Sequence, residues 1–478
     1  MKSRVFILLF VLLGLIAIVF AQEDDSSEDD TINDNMPDST DTEVAPPTPS
    51  TASTPTDDTT TSTDDTTITT TTTTPTEPDT PSSTISETPV VSSQPAAPVN
   101  KTVNPLVCTA LHKLYTSLNG NSWIVRTGWD SNDMNTCCTW YNVHCNSIGQ
   151  VLKVVLAHNN LVGQLPDSFD QLPDLQTIDM SYNNISGSVP TSIGSLPRLK
   201  SINFDVNLLS GSLPSGLSAP VNLTTIHFKN NSFSGTIPDS WATMRSIENI
   251  YLSNNNLTGP FPNVITQFVS VKSLYLDNNA FNGFLPSNLG DASALVQLNL
   301  KDNHLLGNIP ASIGNITGLQ SLIMSHQMLN GTIPDEVFNI LGLQVLDLSN
   351  NRFTGRISPK LGQLVNVQRL NLGHNGLTGP IPNEIDQLTK LQSLNLNYNA
   401  LNGQFPSTLA PAALGYCYMT PNQFQSCPGP EVVNNPESLA FQCSVDCIVK
   451  TKTKGAASHL TSSISALFLI VMATLITM

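Results

Sequence analysis

The sequence predicts an α/β solenoid: a superhelix with a parallel β-sheet on its concave face, disulfide-bonded caps at both ends, and a disordered arm in front. Two observations carry this. From Val151 to Pro406 the pattern L-x-x-L-x-L-x-x-N-x-L-x-G-x-I-P recurs eleven times at a constant period of 24 residues. Four cysteines stand on each side of that block. A fixed period of this length means one structural unit stacked on copies of itself, because a single unit cannot bury its own apolar face.

Each position in the unit has a physical role. In the second unit these are Leu175, Ile178, Met180, Asn183, Ile185, Gly187, Val189 and Pro190. The L-x-L alternation reads as a short strand, with its leucines inward and the residues between them on the concave surface. The asparagine lies where the chain leaves the strand, and its amide can both donate to and accept from a bent backbone. Asparagine recurs from Asn159 to Asn399 except at Gln327, which reads as a tolerated substitution. The glycine, from Gly163 to Gly403, suits a tight bend, and the proline, absent only at Ser358, lacks the N–H of a sheet interior. At about 4.8 Å per strand the concave sheet should run about 50 Å.

The L-x-G-x-I-P half resembles the plant-type subclass of leucine-rich repeats. Over roughly residues 105–410 the chain is similar to the ectodomains of plant receptor-like kinases and to the polygalacturonase-inhibiting proteins. The shared residues are structural, so the resemblance implies the fold more sharply than the ligand.

In chain order, residues 1–21 read as a signal peptide: Lys2 and Arg4, an apolar run from Val5 to Phe20, then Ala21. Residues 22–104 are an acidic Ser/Thr/Pro-rich, mucin-like arm with too little apolar surface to fold. Its seventeen acidic residues and absence of Lys or Arg through Asn100 account for the whole formal charge of −17. With no basic stripe left over, a nucleic-acid partner is not expected.

Residues 105–150 form an N-terminal cap. Val107, Leu111, Leu114, Tyr115 and Leu118 make a helical stripe that stops at Asn119-Gly120. Cys137-Cys138-Thr139-Trp140-Tyr141-Asn142-Val143-His144-Cys145 resembles the plant-type cap pattern C-C-x-W-x-G-V-x-C, with Asn142 in place of glycine. That resemblance implies the bridges Cys108–Cys137 and Cys138–Cys145. Residues 151–410 hold the eleven repeats, and residues 411–454 a second cysteine-containing cap with a short linker. Three pairings are open for its cysteines, and Cys417–Cys427 with Cys443–Cys447 is the expected one. Residues 455–478 read as a glycosylphosphatidylinositol signal: small residues from Gly455, the expected attachment point, then a polar spacer and an apolar tail. The anchor thus follows the second cap, while the arm precedes the first.

No catalytic motif, metal-ligand spacing or cofactor signature is present, so neither an enzyme nor a cofactor is expected. The histidines at 158, 227, 326 and 374 read as solitary surface residues. Sequons begin at Asn100, Asn184, Asn222, Asn230, Asn256, Asn315 and Asn330. Recognition falls to the concave positions, where Tyr251 and Tyr275 neighbour each other beside His227, Lys229, Asp277 and Lys301. Adjacent aromatics among mixed charges suit an extracellular peptide, protein or glycan. Receptor ectodomains of this family use paired arginines near the last repeats for a ligand carboxylate; here only Arg369 matches. The expected function is a lipid-anchored glycoprotein at the outer plasma membrane or cell wall, which binds such a ligand and signals through a transmembrane coreceptor. The alternatives are a structural wall or coat glycoprotein and an inhibitor of an extracellular hydrolase.

Overall fold

The structure, a computed structural model, describes residues 103–443. The signal sequence, the acidic arm, Asn100, Cys447 and the Gly455 anchor signal lie outside the described residues. The L-x-L segments form a parallel sheet of 13 strands from Val143–Cys145 to Tyr416–Tyr418. Only its first pair is antiparallel, where Val143–Cys145 of the cap covers the edge of Val151–Val155. Equivalent residues of successive repeats stand level, as in Ile178↔Ile202 and Leu346↔Leu370. Register is therefore set by the period alone.

The second half of each unit differs from the sequence expectation of one sheet. The N-x-L-x-G stretches pair as well, giving a second sheet of 12 strands from Val162–Gln164 to Gln423–Ser426. Proline stands at or just beyond the end of these strands, so most of the ladder keeps its donors. The side opposite the 13-stranded sheet carries short 3-10 turns such as Thr191–Ser195 and Asp335–Asn339. Leu, Ile, Val and Phe from all three sides fill one continuous core, with Leu175, Ile178, Met180 and Ile185 fully buried in the second repeat.

The asparagines form the ladder that the pattern implies. Asn183 Oδ1 accepts from the N–H groups of Asn159 (3.0 Å) and Leu161 (2.9 Å). Its Nδ2 donates to the carbonyls of Leu156 (2.9 Å), Met180 (3.0 Å) and Ser181 (3.0 Å). Each rung thus satisfies bent backbone in its own repeat and in the one before. Gln327 does not break the row. It is buried, its Oε1 accepts from Leu305 N–H at 2.9 Å, and its Nε2 donates to the Leu300 carbonyl. The longer side chain keeps the inter-repeat bonds and gives up the two to its own turn. The residue before each rung turns left-handed, with φ of 50–57° from His158 to Tyr398. Asparagine fills four of these eleven places, in accord with its tolerance of that region, and Val206 is the branched exception.

Both caps close the ladder and the core. The helix Pro105–Ser117 starts at Asn104, whose side chain accepts from Leu106 N–H. Trp123, Trp129 and Trp140 pack edge or tilted against one another at 5.1–5.3 Å. The bridges Cys108–Cys137 and Cys138–Cys145 are both formed. Asn142 has φ 55°, so it adopts the conformation that glycine supplies in the cap pattern. Asn159, the first rung, is met by the cap loop through Val125 N–H at 2.7 Å and its carbonyl at 2.8 Å.

At the other end the repeat count needs correction. Leu414, Cys417, Met419, Asn422 and Phe424 form a twelfth, degenerate unit that extends both sheets. Asn422 is a true rung: it accepts from Leu401 N–H at 3.0 Å and donates to the Leu396 and Met419 carbonyls. The pairing Cys417–Cys427 is also overturned, because Cys417 is bonded to Cys443 with a Cα–Cα distance of 4.7 Å. Cys417 occupies the inward strand position level with Leu394, and the turn Leu439–Gln442 brings Cys443 against it. Cys427 leaves a strand of the other sheet and is itself disulfide-bonded. The expected Cys443–Cys447 bridge is excluded by the same bond.

Candidate ligand-binding face

The outward residues of the 13-stranded sheet stand in ranks, because parallel strands in register place like positions side by side about 4.8 Å apart. In the central rank Asn203, His227, Tyr251 and Tyr275 are consecutive. Their rings stack: His227 on Tyr251 with centroids 4.4 Å apart at 19°, and Tyr251 on Tyr275 at 5.2 Å and 28°. Stacking corrects one part of the sequence reading. The faces of Tyr251 are covered by its neighbours, so the cluster offers ring edges and hydroxyls rather than an open apolar platform for a sugar.

The charged neighbours are tied into the same patch. Lys229 Nζ lies 5.3 Å from the Tyr251 ring centre and 3.6 Å from Asp205 Oδ2. His227 Nδ1 approaches the same carboxylate at 3.4 Å without the alignment of a hydrogen bond. Tyr275 donates its hydroxyl proton to Gln297 Oε1 at 2.7 Å. Burial first, then the nearby Tyr251 and Asp277, pushes the Tyr275 phenol above its ordinary value, so it stays a donor. Asp277 accepts from Ser253 Oγ at 2.6 Å and Asn299 Nδ2 at 3.0 Å. Lys301 Nζ sits 3.4 Å from Asp302. The six predicted residues therefore share one region, with Asp205 and Gln297 as positioning neighbours that the sequence did not single out.

The other histidines are not solitary. His158 stacks on Tyr182 and His374 on Tyr398, each at 4.2 Å, while His326 lies 3.7 Å from Asp302. Those three stand at the left-handed positions before the ladder, along the edge of the sheet. The period alone could have paired them, since each partner lies 24 residues away.

A second feature lies toward the last repeats. A cavity of about 240 Å³ opens on the same sheet, lined in part by Ile323, Val345, Asp347, Arg369, Asn395 and Tyr418. Arg369 is exposed and makes no ion pair among the described residues. Tyr416 and Tyr418, 67% and 57% exposed, come from the twelfth repeat. The sequence reading missed them by ending the repeats at residue 410, although the L-x-x-C-x-M-x-x-N-x-F spacing marks them. Among the described residues no group of three or more His, Cys, Asp or Glu converges as a metal site, and no helix is long and apolar enough to cross a membrane. The six sequon asparagines from Asn184 to Asn330 are all exposed. None is a rung of the ladder.

Comparison with known proteins points the same way. Family models described as leucine rich repeat match residues 150–209 and 341–401, and 222–244, 246–268, 270–292 and 294–316. A curated relative, MDIS1-interacting receptor like kinase 1 of Arabidopsis thaliana, is 42% identical over 53 residues, which are 11% of this chain and 5% of that protein. Among solved structures, PEPR1 with AtPEP1 superposes with a TM-score of 0.61 at 29% identity, over 66% of this chain and 45% of the other. The plant peptide hormone receptor RGFR1 in complex with RGF2 gives 0.53 at 31%, over 57% and 48%. A plant ice-binding protein shares the fold alone, with a TM-score of 0.53 at 24% identity over 69% of this chain and 99% of the other. The chain thus spans under half of each receptor structure and a small fraction of the curated kinase. With the period, both sheets, the asparagine ladder and the cap bridges in agreement, the chain folds as a leucine-rich repeat solenoid similar to the plant receptor ectodomains.

Proposed function

We propose that the chain is a cell-surface recognition module whose concave sheet binds an extracellular peptide. The observation that carries this is the presence of two polar–aromatic clusters on one rigid sheet, Tyr251–Tyr275 and Arg369–Tyr418. Six strand spacings separate Tyr275 from Tyr418, about 29 Å, the length of roughly nine extended residues. An extended chain crossing the strands meets ring edges, hydroxyls and a free guanidinium in turn. Covered ring faces make a glycan the weaker fit. The likeness to PEPR1 with AtPEP1 and to RGFR1 with RGF2 supports the same ligand class.

The segments outside the described residues complete the proposal. The signal sequence sends the chain to the secretory pathway, and a lipid on Gly455 holds it at the outer face of the plasma membrane or in the wall. With a lipid for an anchor, signalling passes through a transmembrane coreceptor. The test immobilises secreted residues 101–455, exposes them to the extracellular peptide fraction, and identifies retained peptides by mass spectrometry. Tyr251→Ala with Tyr275→Ala, and separately Arg369→Ala, should each weaken retention by an order of magnitude or more, in line with hot-spot losses of about 2 kcal/mol. Retention unchanged by both sets sinks the concave-face reading.

A further inference from the structure

The second sheet carries an apolar row that its own pattern does not call for. In the position after the glycine, most repeats place small or polar residues, such as Ser188, Ser212, Thr236, Asn308 and Thr332. Phe284 stands there instead, 69% exposed. Register places Leu306 level with Phe284 and Met328 level with Leu306 on the next two strands, and both are half-buried on the same face. Three apolar side chains in line, the first of them largely exposed, call for a cover.

The sequon Asn330-Gly331-Thr332 supplies one. On the strand Met328–Thr332 alternate residues face outward, so Met328, Asn330 and Thr332 share the face of the row. Asn330 is exposed, and its side-chain amide makes no hydrogen bond among the described residues. Phe284 lies two strand spacings away, about 10 Å. We infer that Asn330 carries an N-linked glycan whose first sugars lie along Met328 and Leu306 toward the Phe284 ring. Transfer joins Asn330 Nδ2 to the anomeric carbon of a sugar held on a lipid pyrophosphate. The sugar–phosphate bond breaks, the lipid pyrophosphate leaves, and Nδ2 loses one proton. The apolar faces of the sugar rings meet the row while their hydroxyls face water.

This inference rests on the secretory part of the proposed function, and the experiment separates the two. The full chain, secreted from eukaryotic cells, is treated with a peptide N-glycosidase, and sites are identified by the conversion of asparagine to aspartate. Asn330 should be occupied. Asn330→Gln should raise the fluorescence of a bound hydrophobic dye about twofold or more, and adding Phe284→Ser should abolish the rise. Asn315→Gln, away from this sheet in the 3-10 turn Ala311–Asn315, should leave it unchanged. A bare Asn330 in protein glycosylated elsewhere overturns the inference alone, as does an equal dye response in both asparagine variants. Glycosylated chains that self-associate and separate on Phe284→Ser would make the row a protein interface and also overturn it. No occupied sequon in any preparation overturns the secretory reading with it.

Discussion

Replacing a rung of the ladder should cost far more than replacing an asparagine beside it. Asn279 is buried, accepts from Leu257 N–H at 3.0 Å, and donates to the carbonyls of Leu252, Leu276 and Asp277 at 3.0–3.2 Å. In Asn279→Ala the Leu257 N–H of the neighbouring repeat loses its acceptor, while the Leu252 carbonyl keeps the amide of Asn255 at 3.0 Å. A buried polar group left unpaired costs about 1–3 kcal/mol, and that is the expected loss. Asn282, three residues on, is exposed on the second sheet, and its side chain makes no hydrogen bond among the described residues. Asn282→Ala should fall within about 0.5 kcal/mol of the parent. Guanidinium unfolding of the secreted chain, disulfides intact and followed by circular dichroism, reads the difference as a lowered midpoint at unchanged slope. A midpoint for Asn279→Ala no lower than that for Asn282→Ala would show that the rungs do not hold the repeats together.

Three further substitutions test the same physics. Gln327→Asn should restore the bonds to its own turn that the longer side chain gives up, raising stability by about 1 kcal/mol in the same unfolding assay; a loss would mean the glutamine rung is locally optimal. Val206→Asn should also stabilise by about 1 kcal/mol, because a branched residue at φ 56° carries strain that asparagine tolerates. Cys443→Ser should cost about 2–5 kcal/mol and reduce secretion, since it releases the turn held against the last strand; normal secretion and unchanged melting would count against a capping role.

Much of the fold was legible because one residue type in each unit does one job. A leucine at a fixed interval can only be core, and a constant period leaves a single register. What escaped the sequence was set by contacts between units or beyond the last full one. The second sheet arises because N-x-L-x-G stretches of adjacent repeats pair with a stagger of two residues, as in Gly187↔Leu209, which no single repeat displays. Cys417 takes a leucine's place, so its partner is decided by which turn packs on the last strand, not by nearness in the chain. On the candidate face, the rank alone places the six residues together, but the stack of His227, Tyr251 and Tyr275, which covers both faces of Tyr251, is a contact between repeats that no single residue displays. Gln327 is tolerated because amide chemistry, more than side-chain length, is what the ladder requires.

The ladder also bears on how such a chain can grow. Rung amides bond to residues 22 and 27 positions back, as Asn207 does with Ile185 N–H and the Met180 carbonyl. A whole unit copied into the gene finds every bond waiting at both of its borders and lengthens the face by one strand spacing, about 4.8 Å. The twelfth repeat is one residue shorter, with Asn422 23 residues after Asn399, and its amide still reaches Leu401 N–H and the Leu396 carbonyl. Growth by whole units keeps every bond, and a unit that loses a residue outside the bonded positions keeps its rung as well.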